Sequence, residues 1–141
     1  MIQRIQSLWF LLASVAGFLT YQLPLWEGRL MENGIKKFNA TDNLLFFALT
    51  IAISILALAT IFLFKNRQLQ KKLSVIGILV SLGLIALEFY FVNDFKTTLN
   101  LSESTWKPGA LMPILIAIFF FLALQGIRKD EKLIKSLDRL R

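Results

Sequence analysis

The chain has 141 residues, of which 56% are hydrophobic, with a net charge of +7 and a mean hydropathy of +0.63. That is the length of one ordinary domain, but a soluble domain is only about 45 to 50% apolar, so water is not the only solvent here. Cysteine and histidine are both absent, which excludes disulfides, thiolate nucleophiles, imidazole acid–base chemistry, and zinc or haem ligation by those residues.

Four stretches are apolar for long enough to cross a hydrocarbon core, which takes about 20 helical residues. The first covers residues 7–26 and reads as a retained anchor. Only six apolar residues lead into the cleavage-like Ser14-Val15-Ala16, and the hydrophobic run continues to Trp26, so a removed signal peptide is disfavoured. The loop after it, 27–42, places Asn33-Gly34 between Leu30-Met31 and residues 35–38, a pattern compatible with a hairpin closed by a type I′ turn. Thr41-Asp42 then offers a cap and a first-turn acid to the second span, 44–64. Eight residues, 65–72, lead to the third span, 73–92, so these two spans pack as an antiparallel hairpin. Pro108 and Pro113 mark the opening turn of the fourth span, 110–127, where a missing N–H is tolerated. The tail, 128–141, reads RKDEKLIKSLDRLR and sets Leu133, Ile134, Leu137 and Leu140 at amphipathic spacing.

The spans show no strict alternation and no charged face, which excludes barrel strands and a soluble bundle. The predicted fold is all-α: an integral membrane four-helix bundle, up-down and antiparallel, over 1–127, followed by a short amphipathic cytoplasmic helix over 128–141. Orientation follows from the Lys and Arg bias. Arg4, Lys65, Arg67, Lys71, Lys72, Arg128, Lys129, Lys132, Lys135, Arg139 and Arg141 put eleven cations on one side, against five (Arg29, Lys36, Lys37, Lys96, Lys107) on the other. Positive-inside places both ends and the loop 65–72 in the cytoplasm. Tyr21, Trp26, Tyr90 and Trp106 then fall at the outer headgroup level, with Trp9 near the inner one.

Few residues are candidates for chemistry. Glu88 is the ionisable residue within a span, four residues inside its outer end, and snorkelling or a local hydrogen bond is favoured over ion coupling. Gln22 lies at nearly the same depth and is its expected partner, while Gln125 is expected to meet Gln3 or Gln6 as interhelical glue. Ala13 with Gly17, Ala48 with Ala52, and Gly77 with Ser81 are small-xxx-small pairs that let helices approach closely, inside the bundle or in a homodimer. Asp42 and Asp94 bind a metal only if the fold brings them together. No catalytic, cofactor or metal residue is assigned. The expected partners are the bilayer with its anionic inner leaflet, which the basic loop and tail would contact, and another membrane protein or a second copy, with no nucleic acid.

The opening MIQRIQSLWFLLA, the LPLW closing the first span, IFLFKNRQLQKKL across the inner loop, and the closing IRKDEKLIKSLDRLR together resemble the domain of unknown function 4293 family. The resemblance runs end to end and its most specific piece is the tail. It implies a small four-span protein of the bacterial inner membrane and lends no catalytic residue. The expected role is a non-enzymatic small subunit or scaffold that contacts a partner through its basic loop and tail. The alternative is a small oligomeric transporter or channel component.

Overall fold

The computed structural model describes residues 3–29, 34–99 and 103–138. Four helices dominate: α1 (Gln3–Gln22), α2 (Leu44–Phe62), α3 (Arg67–Leu99) and α4 (Met112–Asp138). Three short strands, β1 (Trp26–Arg29), β2 (Ile35–Phe38) and β3 (Glu103–Trp106), form one antiparallel sheet in the order β2-β1-β3. α1 packs on α2 and α4, and α3 packs on the same two, so α1 and α3 stand diagonally across the packed helices, here called the bundle. The sheet closes one end, and the α2–α3 turn and the end of α4 form the other, here called the basic end.

Among the described residues three helices, α2, α3 and α4, are long and apolar enough to cross a membrane. Packing points the same way. Leu8, Leu11, Val15 and Phe18 on α1, Ile55 and Phe62 on α2, Leu79 and Leu82 on α3, and Ile118 and Phe121 on α4 are all exposed. Ser14, Thr20, Thr50, Ser54, Ser74 and Ser81 are buried. An apolar belt around an interior of small hydroxyl residues is the surface that lipid solvates and that association by close backbone contact requires. Several of those hydroxyls bond within their own helix, as Thr20, Thr50, Ser54 and Ser74 donate to the carbonyl four residues back. Larger side chains fill the rest, with Phe10 meeting Phe120 edge-on at 5.8 Å and Trp9 stacked on Phe119 at 6.0 Å.

The helix ends or their caps differ from expectation at four places, each with a local cause. α1 ends at Gln22 because Pro24 lacks an N–H and disfavours helix at Leu23. Trp26 therefore opens β1 and is fully buried, rather than anchoring at a headgroup level. α2 is capped by Asn43, whose Oδ1 accepts from the Leu45 and Phe46 amides, while Asp42 instead caps the 3-10 turn Ala40–Asp42 by accepting from the Asn39 amide at 2.8 Å. The expected eight-residue loop at 65–72 shrinks because Asn66 accepts from the Leu69 amide and starts α3 at Arg67. The tail is no separate helix: α4 continues unbroken to Asp138.

The sheet is the main addition. The expected hairpin pairs Arg29 with Ile35, and the turn expected at Asn33-Gly34 falls in a connection whose residues 30–33 lie outside the described ones. β3 arrives from the far side of α3 and pairs Trp26 with Trp106 and Glu27 with Thr105. α3 holds the sheet in place. At 33 residues it is about 50 Å long, well beyond the ~30 Å of a hydrocarbon core. Phe95 on its last turns meets Trp26 edge-on at 5.4 Å and Phe38 at 5.6 Å. The segment joining α1 to β1 is pinned from both neighbours: the Leu25 amide donates to Phe38, the Lys107 amide to Leu25, and the Gly109 amide to Pro24.

Candidate functional site

Two regions gather polar side chains, one at each end of the bundle. At the basic end, Lys65 and Lys72 are exposed beside the α2–α3 turn and Arg67 is half-buried. On α4, Arg128, Lys129 and Lys132 are exposed, as are Leu133 and Ile134 at 51% and 42%. The Lys135 side chain and residues Arg139 and Arg141 lie outside the described residues. Not every cation here is free: Lys71 is bonded to Glu131, tying α3 to α4.

The helix contacts below this arm are polar and buried. Gln6 donates from Nε2 to Asp130 Oδ2, joining α1 to α4, and both side chains are buried. Of the two partners expected for Gln125, the Gln3 side chain lies outside the described residues and Gln6 turns elsewhere: Gln125 is exposed, while Gly126 leaves room for Gln6, whose Cγ would lie 2.9 Å from a Cβ there. Gln70, also buried, donates to the Thr60 carbonyl at 3.2 Å and ties the start of α3 to the end of α2. Asp130, Glu131 and Gln70 were missed in the sequence because they sit in charge-rich stretches that read as solvated. The signal was there for Asp130. It continues the buried α4 stripe of Ile116, Phe120, Ala123 and Ile127, and extending that helix by one turn finds it.

At the sheet end, Glu88 is only 3% exposed and its Oε1 has no hydrogen-bond partner. It neither snorkels nor bonds to Gln22, which is exposed on α1, across the bundle diagonal from α3. Instead Glu88 lines a cavity of about 530 Å³ between α3 and the start of α4. The other walls are mostly apolar, including Phe89, Trp106, Leu111 and Ile114, with Lys107 at the sheet side. Phe89 and Trp106 meet edge-on at 5.5 Å. Trp106 is also one of two indoles, with Trp26, under the Lys96 ammonium at 5.9 and 5.6 Å.

Glu27 in the central strand binds the other two strands together. Its carboxylate lies 2.7 Å from Lys107 Nζ and 3.3 Å from Lys37 Nζ. The hydrogen bond from Lys107, helped by that from Lys37 and opposed by partial desolvation, holds its pKa below the ordinary 4.5. A carboxyl whose folded pKa is depressed contributes stability above its unfolded pKa and loses it as pH falls through the folded value. Exchange protection of the sheet amides, corrected for intrinsic rate, should therefore stay level down to about pH 5 and fall below the ordinary 4.5. In Glu27→Gln this acid-induced loss should disappear, and an unchanged pH profile would assign the loss to another group.

Asp42 and Asp94 do line one recess, of about 540 Å³, but Lys36 and Lys37 share it, and among the described residues no cluster of three acids offers a metal site. A family model described as Domain of unknown function (DUF4293) matches residues 2–140. No curated protein and no solved structure matches the chain.

Proposed function

Because the chain belongs to the DUF4293 family of unknown function, its role has to be read from its own surfaces, and we propose that it is a four-span inner-membrane protein that docks a partner on the arm ending α4. In this reading α1 also spans the membrane beside α2, α3 and α4, supported by its 20 residues and its exposed Leu8, Leu11, Val15 and Phe18. The basic end faces the cytoplasm, supported by the lopsided Lys and Arg count. The protein is a scaffold or small subunit rather than an enzyme.

The single observation that carries the reading is the continuity of α4. A tail that lay on the inner leaflet would have to bend away from the bundle axis. The 11 residues from Arg128 to Asp138 instead extend the helix straight on, by about 16 Å. The buried Gln6–Asp130 bond and the Lys71–Glu131 pair fasten the root of that arm to α1 and α3. Leu133 and Ile134 are then held in water beside Arg128, Lys129 and Lys132, an apolar spot rimmed by positive charge. Its complement is a protein groove with an apolar floor and acidic edges.

The test is a crosslinked pull-down from the protein's own membranes. The paired substitution Leu133→Asp and Ile134→Asp spoils the apolar contact and leaves the fastening residues intact, unlike removal of 129–141, which would also cut the Asp130 and Glu131 links. A reproducible partner lost with the double substitution supports the reading. Self-crosslinks alone, unchanged by the substitution, contradict it, and liposome flux by the purified oligomer would then favour a transporter.

A further inference from the structure

The Glu88 cavity lies at the opposite end from the docking arm and is independent of any partner there, although it shares the premise that the bundle spans a membrane. We propose that the cavity between α3 and α4 is a binding site for an amphiphile with a primary-amine head, in the membrane an aminophospholipid of the outer leaflet. Three observations converge on this.

The first is the unmatched acceptor. Glu88 is buried, with only 3% exposed, it lines a space of about 530 Å³, and its Oε1 lacks a donor. Burying such a group without a partner is costly, and a ligand N–H removes that cost. The neighbouring cations do not supply the donor, since the Lys107 ammonium is on Glu27 at 2.7 Å and that of Lys96 is over the two indole rings.

The second is shape and solvent. Phe89, Trp106, Leu111 and Ile114 are all exposed while lining the cavity, so its apolar side continues into the lipid-facing belt. A chain can enter from that side without leaving hydrocarbon. The volume falls within the roughly 300–1,000 Å³ of small-molecule sites, enough for a headgroup and the first part of an acyl chain.

The third is charge complementarity. Glu88 and Lys107 both line the cavity, and an ammonium has three N–H donors of which the bond to Glu27 takes one, so the pair matches a headgroup that carries an amine and a phosphate. A choline head has no N–H to donate and a glycerol head has no cation. An ethanolamine head has both the amine and the phosphate.

The experiment uses the full chain in phosphatidylcholine nanodiscs containing small, equal amounts of phosphatidylethanolamine and phosphatidylglycerol, with native mass spectrometry of the lipids that stay bound. Phosphatidylethanolamine should be enriched about tenfold over its bulk share, the contribution of one charge-assisted hydrogen bond. Glu88→Leu should abolish that enrichment. Because it also removes an unsatisfied buried polar group, it should fold at least as well as the parent. Ile114→Trp is a second variant, which narrows the chain entrance, leaves Glu88 in place and should lower retention as well. Enrichment that survives Glu88→Leu, or equal retention of the ethanolamine and choline lipids, overturns the proposal. Dodecylamine binding that needs Glu88, without any ethanolamine lipid preference, would assign the site to a single-chain amine and overturn the phospholipid source.

Discussion

Gly109→Ala should loosen the sheet from the bundle at a cost of about 3 kcal/mol, the upper part of the usual range for overpacking, because what a new methyl meets is backbone. A Cβ at Gly109 would lie 2.5 Å from the Pro24 carbonyl oxygen and 2.7 Å from that of Leu23. A side chain can rotate away from a methyl, but these carbonyls cannot move alone. The Pro24 carbonyl accepts the Gly109 amide at 3.2 Å, and the adjacent Leu25 pairs with Phe38 and Lys107. Displacing the linker therefore strains both edges of the three-stranded sheet together. The expected readout is faster amide exchange at Leu25, Trp26 and Lys107, with α2 and α3 amides unaffected near the basic end. Unchanged exchange at those three positions would mean that the linker is not seated as described.

Gly17→Leu should be nearly as damaging, by about 1–3 kcal/mol, at the crossing of α1 and α2. Even a Cβ at Gly17 would lie 2.0 Å from Ser54 Oγ and 3.1 Å from Ser54 Cβ. Ser54 is not free to yield, because its hydroxyl donates to the Thr50 carbonyl at 2.7 Å inside a buried seam. Within lipid no hydrophobic force between helices compensates for separating them, so close backbone approach has to hold the pair. Gly17→Ala provides a sharper test when combined with Ser54→Gly. The two together should recover most of what Gly17→Ala alone loses in a denaturation series, and additive losses would contradict the contact.

The helices were legible because each is an unbroken apolar run. α2, α3 and α4 emerged with their type correct; Asn43 caps α2 at the expected start, Leu44, whereas Asn66 starts α3 at Arg67, six residues before the boundary that hydropathy alone places at 73. Pro24 was obscured for the opposite reason: Leu23, Leu25 and Trp26 keep the hydropathy high on either side of it, so the break read as helix. The sheet was mostly hidden. Its strands have four residues each, too short for a period of two to register, and β1 and β3 lie on either side of two entire helices in the chain.

The candidate residues divide along the same line. Glu88 stood out because it is a charge within an apolar run, and the structure gives it a cavity instead of the Gln22 partner expected from equal depth. Depth is a one-dimensional measure and says nothing about which helices are diagonal. Asp130 lacks contrast in charge, being one of two acids among the bases of RKDEK, and only its place on the buried α4 stripe marks it as the residue that sits against Gln6. Ala13 and Gly17 were read correctly as close-packing positions, with Ala13 buried and Gly17 against Ser54.

Both proposals depend on which face of the membrane each end occupies, and the absence of native cysteine makes that directly measurable. Single cysteines placed at Thr105 in the sheet, at Lys72 beside the α2–α3 turn and at Ser136 on the arm, all exposed positions, would be treated with a membrane-impermeant maleimide in intact spheroplasts and again after permeabilisation. The Thr105→Cys protein should label in both samples, and Lys72→Cys and Ser136→Cys only once the membrane is opened. Labelling of Ser136→Cys in intact spheroplasts would place the arm outside, which contradicts the docking surface and the outer-leaflet site together.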